Sequence, residues 1–168
     1  MNNFKYSYLH KFKRQEKFPF IGPVGNFFSP VNSNEIEQAE KLIGFEFPKA
    51  LKEFWLEIGY GCLSVDVKGE DSDLDNYVMQ PSMIANIILR KDESEEADVV
   101  ILSDVLDEFL EEGDIPFMEV SDSSDFLKMR RGSEIVYSMG GRVTTETFEL
   151  LIWKLYHESA KYSWYKYS

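Results

Sequence analysis

The segment from Asn32 to Lys68 restricts the fold more than any other part of this sequence. Its first part predicts an amphipathic helix, because N-cap residue types lead into it, apolar residues recur on one face, and Gly44 stands where a left-handed residue would end it. The apolar face consists of Ile36, Ala39, Leu42 and Ile43. A helix with one apolar face needs a core to pack against, so this segment indicates a folded domain.

A second amphipathic helix is predicted to begin at Pro48, since proline suits a first turn in which its missing N–H would have no partner. Its core-facing stripe consists of Phe47, Leu51, Phe54, Trp55 and Ile58. Burial of Phe54 and Trp55 together is expected to contribute roughly 3–6 kcal/mol, at ~1.5–3 kcal/mol for each large apolar side chain. This helix is therefore predicted to lie at the centre of the core.

The remaining periodic segments predict strands and two further helices. Leu63, Val65 and Val67 alternate with polar residues as in a half-buried strand. Alternating segments that begin at Phe117, Asp125 and Glu134 predict a β-meander, and Arg131-Gly132 and Gly140-Gly141 supply breaks. A short helix is indicated by Met83, Ile84, Ile87 and Ile88, and a final helix, capped by Thr144 and Thr145, by Phe148, Leu151, Ile152, Leu155 and Tyr156. The prediction is a single α+β domain with a mixed, mostly antiparallel sheet of about five or six strands and helices packed around it.

This order of elements resembles the SUKH superfamily over roughly residues 32–157. The residues that carry the resemblance are Ile36, Leu42, Gly44, Phe47, Pro48, Leu51, Phe54, Trp55, Gly59 and Gly61, followed by weaker matches at Ile115–Phe117, Ser121–Asp125, Ile135–Tyr137, Phe148 and Leu151. The superfamily often has an Asn-Gly-Gly-like turn after the second helix, where this chain has Gly59-Tyr60-Gly61. The resemblance implies an immunity protein that neutralises a bacterial toxin, possibly a nuclease, or alternatively a non-catalytic scaffold or regulatory module like the fungal cell-wall assembly regulators of the superfamily.

The predicted organisation is a basic, aromatic N-terminal arm (residues 1–31), a SUKH-like domain (32–157) and a C-terminal tail (158–168). The arm is expected to be extended and to pack Phe18, Phe20, Phe27 and Phe28 against the domain. Its cations Lys11, Lys13, Arg14 and Lys17, interleaved with aromatic residues, have the composition of a nucleic-acid binder. A solvated arm that covers an acidic body explains the same residues and is the preferred interpretation.

Charge is distributed unevenly along the chain. The net charge is −12, and residues 1–20 carry +4, so that the other 148 residues carry −16. A body this acidic repels nucleic acid and attracts basic surfaces, such as those with which nucleases bind phosphates. The densest run, Asp92–Asp114, holds eleven acids and no lysine or arginine. It is interpreted either as a docking face for a basic partner or as a solvated helix face.

The predicted partner-binding residues are acids of this run and of the loop at 69–76. They are Asp92, Glu93, Glu95, Glu96, Asp104, Asp107, Glu108, Glu111 and Glu112, with Asp71, Asp73 and Asp75 next. The aspartates of the loop resemble the start of a calcium-binding loop, but Asn76 replaces the expected glycine and Ser82 the expected glutamate, so a solvated turn is predicted and no metal. Residues 99–110 predict a helix that ends at Gly113, or a strand at 99–102 followed by a short helix.

The sequence offers no catalytic arrangement and no cofactor motif. His10 and His157 are far apart in unrelated contexts, and Cys62, with no plausible base, is expected to be a small core residue. No apolar run reaches the length of about 18 residues that a membrane helix needs, and the N-terminus lacks the apolar core of a secretory signal. A cytoplasmic, non-enzymatic protein is predicted, whose partner is a cognate toxin with a basic surface, and which binds neither nucleic acid nor membrane.

Overall fold

The computed structural model describes residues 4–15, 26–65, 74–90, 110–119, 126–138 and 143–157. Within them, seven strands form one sheet in which each strand pairs antiparallel with the next along the chain. The strands are β1 (Phe27–Ser29), β2 (Tyr60–Val65), β3 (Leu74–Val78), β4 (Asp114–Glu119), β5 (Phe126–Arg130), β6 (Ile135–Ser138) and β7 (Val143–Thr147). The helices are a 3-10 helix (Ser7–Phe12), α1 (Ser33–Ile43), α2 (Lys49–Glu57), α3 (Pro81–Ile88) and α4 (Phe148–His157). The α+β prediction is confirmed, and the described sheet has one or two strands more than expected.

Strand β7 is one of the elements that the sequence analysis missed. Thr144 and Thr145, expected to cap the last helix, lie inside β7, which pairs with β6. Threonine is common both as a helix cap and, because it is β-branched, in strands. The prediction that these two threonines cap the helix is therefore wrong. Thr147 takes the capping role instead, because its Oγ1 accepts a hydrogen bond from the backbone N–H of Leu150 at 3.3 Å.

Helix α1 has the predicted ends and, with one exception, the predicted buried face. Asn32 and Glu35 form a reciprocal capping box, and Gly44 ends the helix with a φ of +83°. Ile36 and Ala39 are buried, but Leu42, predicted on the same face, is 55% exposed. Leu42 lies about 100° round the helix from its neighbour Ile43, at the edge of the stripe rather than on it.

Helix α2 lies at the centre of the core, as predicted. Its five-residue stripe, Phe47, Leu51, Phe54, Trp55 and Ile58, is buried throughout. The Trp55 indole N–H donates to the backbone carbonyl of Met79 at 2.9 Å, which ties α2 to the end of β3. The Phe54 ring meets the rings of Tyr6, Phe28 and Phe148 edge to face, with centroids 5.0, 5.7 and 5.4 Å away.

The N-terminal segment packs closely on α2, and its residues Ser7–Phe12 form a 3-10 helix, so the prediction of an extended, solvated arm is wrong for this part. Tyr6 and Leu9 are fully buried, and the Glu57 carboxylate accepts hydrogen bonds from the backbone N–H groups of Lys5 and Tyr6 at 3.1 and 2.9 Å. His10 Nε2 lies 3.0 Å from the same carboxylate. Phe27 and Phe28 are buried in β1 as expected. The other predicted contacts of this segment, at Phe18 and Phe20, lie outside the described residues, as does Lys17.

A glycine is required at position 59, between the end of α2 and the start of β2. Its φ is +118°, and a Cβ there would lie 1.9 Å from the carbonyl oxygen of Ser29 in β1. We expect Gly59→Ala to lower the free energy of unfolding by at least about 3 kcal/mol. The cost of the strained backbone at residue 59 is added to the cost of displacing the edge strand β1. Urea unfolding measures this loss.

Gly132→Ala is the matched control for that substitution. Gly132 also has a positive φ, +77°, but no atom lies within 4 Å of its Cβ position. We therefore expect only the conformational cost of roughly 1–2 kcal/mol. Equal losses in the two variants would show that the contact between Gly59 and β1 contributes nothing.

Candidate partner-binding surface

The structure describes only a few of the predicted partner-binding acids. Glu111 and Glu112 are exposed on a turn that Gly113, with a φ of +87°, leads into β4. The predicted helix end at Gly113 is therefore wrong, and the helix or strand predicted over residues 99–109 lies outside the described residues. Asp75 lies in β3, paired with Ser64, so the predicted loop at 69–76 ends before residue 74. The remaining predicted acids lie outside the described residues: Asp71, Asp73, Asp92, Glu93, Glu95, Glu96, Asp104, Asp107 and Glu108.

Asp114, the last acid of the run, is used internally. Its side chain is 2% exposed, and its Oδ2 accepts from Lys128 Nζ at 2.6 Å and from the backbone N–H of Glu111 at 3.0 Å. Arg130 Nε approaches its other oxygen at 3.6 Å. The antiparallel register of β4 and β5 sets Asp114 opposite Arg130 and Pro116 opposite Lys128. A buried charge of this kind fixes the strand pair and cannot contact a partner.

Arginines approach the exposed end of the acidic run. Glu111 Oε2 lies 3.7 Å from Arg130 Nη2, and Arg90 and Arg131 line a cleft together with Glu111 and Glu112. The run contains no basic residue in sequence, but the fold brings three arginines to its end. The described part of this surface therefore carries both signs of charge.

The cleft at this position has a volume of about 630 Å³. Its apolar wall consists of Ile43, Phe45, Ile88 and Leu110, from the ends of α1 and α3 and the turn before β4. The Arg131 guanidinium lies 5.1 Å from the centroid of the Phe45 ring. An apolar wall with charged groups of both signs at its rim suits a side chain or segment of a protein partner.

One row on the second face of the sheet carries three aromatic residues, of which Phe27 and Phe126 are buried and Tyr77 is half-buried. Residues paired across antiparallel strands share a face, and the register joins Phe27, Cys62, Tyr77, Glu119 and Phe126 into one transverse row. The neighbouring row, Phe28, Gly61, Val78, Met118 and Leu127, faces the core. Burial raises the pKa of the Tyr77 phenol, so this group stays neutral. Cys62 lies on this row and is half-buried, so it is not the fully buried core residue that the sequence predicted.

The comparison with known families identifies the fold. The model of the SMI1 / KNR4 family (SUKH-1) matches residues 30–153. The chain belongs to this family. Among curated proteins, a similar one is the Immunity protein YxxD of Bacillus subtilis (strain 168), which is 33% identical over 99 residues. Those residues are 59% of this chain and 61% of that protein, so the likeness spans about three fifths of the relative's length.

In this SUKH-1 chain the described residues hold no group of three His, Cys, Asp or Glu side chains that could bind a metal ion. Within the same residues, no helix is long and apolar enough to cross a bilayer. His10 contacts Glu57 and Phe4, whereas His157 stacks on Trp153, so each histidine belongs to a separate contact.

The sequence of this SUKH-1 chain does not predict the basic side of the cleft. Arg90 is distant in sequence from the adjacent pair Arg130 and Arg131, and the packing of α3 beside β4, with β5 paired to β4, brings them to the acids. The sequence contains one weak indication that Lys128 is the buried partner of Asp114. Lys128 stands among apolar residues in an alternating strand. A lysine at such a position needs a carboxylate nearby.

The ion pair between Asp114 and Lys128 provides a stability test. We expect Asp114→Asn or Lys128→Met alone to lower the free energy of unfolding by about 3–5 kcal/mol, since each leaves a buried charge without its partner. The double variant is expected to lose less than the sum of the two single losses. Urea unfolding of all four proteins gives the coupling energy, and additive losses would show that the two groups do not interact.

Proposed function

We propose that this chain is an immunity protein that binds a cognate toxin and neutralises it without catalysis. The observation that carries the proposal is the run of eleven acids without a basic residue, Asp92–Asp114, in a member of the SUKH-1 family. A relative at 33% identity is itself named an immunity protein, which supports the same role. The proposed site of action is the cytoplasm, where the partner would be a toxin with a basic surface.

Physical occupation of the toxin's active surface suffices for neutralisation. A nuclease is the class of toxin that fits best, because it binds phosphates with a basic surface, and acids placed there would replace the phosphates electrostatically. A chain with net charge −12 also attracts such a partner over distance and so raises the association rate. Neither effect requires a catalytic group in this protein.

The proposed contact surface combines exposed acids with the apolar cleft beside them. Glu111 and Glu112 stand at its rim, while Phe45 and Leu110 offer partly buried apolar surface inside it. Apolar contacts of this kind supply most of the binding energy in protein interfaces, and the surrounding charges set rate and specificity. The acids at 92, 93, 95, 96, 104, 107 and 108, with those at 71, 73 and 75, are proposed to extend this surface.

Growth rescue tests the proposed function directly. A candidate toxin encoded beside this chain is expressed in a sensitive bacterial host with and without the chain. We expect growth only when the chain is present, and we expect binding of the purified toxin to weaken as salt is raised, because exposed charges are screened. Growth arrest in both cultures, with both proteins folded and expressed, would reject this pairing.

Two glutamates at the cleft rim test the proposed site. We expect Glu111→Gln with Glu112→Gln to weaken toxin binding roughly 2- to 30-fold, at about 0.2–1 kcal/mol for each exposed ion pair lost. Isothermal titration calorimetry at low salt measures the change.

Glu37→Lys is the control for this pair of substitutions. It raises the net charge by the same two units at an exposed position on α1. Affinity is expected to change less in this variant than in the double variant. Equal effects in the two proteins would mean that only net charge matters and that Glu111 and Glu112 make no contact.

A further inference from the structure

Four large apolar side chains are exposed on the side of the domain formed by α2, α4 and the N-terminal segment. They are Phe4, Leu56, Leu150 and Trp153, with exposed fractions of 54, 54, 43 and 41%. We call these four residues the helical patch. The remaining large apolar side chain that is exposed within the described residues, Leu42, lies on α1.

A cluster of ion pairs holds the helical patch together. Lys5 Nζ lies 2.8 Å from Glu53 Oε2 on α2 and 3.3 Å from Glu149 Oε2 on α4, so one ammonium group links both helices. Leu56 is three residues after Glu53, and Trp153 is four residues after Glu149, so each lies one helical turn from its glutamate on the same face. Phe4 directly precedes Lys5. Each apolar residue of the patch therefore lies next to a member of one ion cluster, since Leu150 directly follows Glu149.

Trp153 and the backbone next to Phe4 are held in place before any partner arrives. The Trp153 ring stacks on His157, with centroids 4.5 Å apart and planes at 21°, and His157 contacts Tyr8 at 4.9 Å. The backbone N–H of Lys5 is fixed by the Glu57 carboxylate at 3.1 Å. Side chains that are already ordered lose little entropy on binding, and a large aromatic residue is the usual centre of a protein interface.

The exposed charges beside the helical patch compensate one another. Two carboxylates, Glu53 and Glu149, pair with two ammonium groups, Lys5 and Lys49, the latter 3.6 Å from Glu53. The nearby Glu57 carboxylate is only 12% exposed and lies 3.0 Å from His10 Nε2. The chain as a whole carries −12. Two copies of such a chain repel each other least where both present a neutral, apolar surface. A basic partner, by contrast, is attracted to the acids elsewhere.

We propose that the helical patch is the surface through which two copies of this chain associate across a two-fold axis. A two-fold axis sets the same patch of both copies face to face, so a self-compensated ion cluster meets its own copy without leaving an unpaired charge. This association is separate from the proposed toxin binding, because it uses different residues and a different kind of force.

Sedimentation equilibrium of the purified full chain tests the proposal. We expect a concentration-dependent mass of up to two chains for the wild type, and a dimer dissociation constant at least about tenfold higher for Trp153→Glu. Leu56→Glu, on the other helix, is expected to act in the same direction. Leu42→Glu is the matched control, because it adds the same charge at an equally exposed leucine, and it should leave the dissociation constant within about twofold.

Salt separates this association from charge-led binding. Raising the ionic strength from about 0.05 to 0.5 M should leave the dimer unchanged or strengthen it, because screening reduces repulsion between two acidic chains. A wild type that stays monomeric at all concentrations would overturn the proposal, as would equal effects of Trp153→Glu and Leu42→Glu. A monomeric wild type whose toxin binding is abolished by Trp153→Glu would show instead that the toxin covers the helical patch.

Discussion

Phe54 is the side chain on which the packing of this domain depends. Its ring contacts Tyr6 of the N-terminal segment, Phe28 of β1 and Phe148 of α4, each edge to face. These elements are distant in sequence, and one fully buried ring on α2 brings them together. Aromatic pairs of this geometry contribute about 0.5–1.5 kcal/mol beyond the area they bury. The N-terminal segment, β1 and α4 therefore meet at one ring of α2.

Hydrogen bonds and ion pairs of carboxylates connect several of the other elements. Glu134 Oε1 accepts from the backbone N–H of Ala50 at 3.1 Å, and Glu40 Oε1 accepts from that of Phe47 at 2.8 Å, so two glutamates from other elements stabilise the start of α2. Glu57 holds the N-terminal segment, and Asp114 holds β4 to β5. The high acid content of this chain is thus partly structural. Net charge alone overstates how much negative charge is available to a partner.

Two kinds of surface result from this use of charge. At the cleft, which we propose as the toxin-binding surface, exposed acids stand beside arginines and an apolar wall. At the helical patch, opposite charges pair within the chain and leave the apolar side chains to dominate. Glutamates are paired within the chain at both surfaces, with arginine at the cleft and with lysine at the helical patch.

The sequence by itself determined the local structure and the family. The apolar stripe of α2, the Asn32 cap, the Gly44 termination and the turn at Arg131-Gly132 all depend on neighbours within a few residues, so spacing alone revealed them. The order of these elements also sufficed to indicate SUKH. Of the site, the sequence located the acids at 111 and 112 but not what stands beside them.

Tertiary structure decided everything that depends on a distant partner. Strands β1 and β7 form because they pair with β2 and β6. The local sequence does not predict this pairing. The same holds for the burial of Asp114 against Lys128, the exposure of Leu42 and the partial burial of Cys62. Whether a charge is buried, paired or free is set by what lies across from it in space, and sequence spacing carries that information only within one helix or strand.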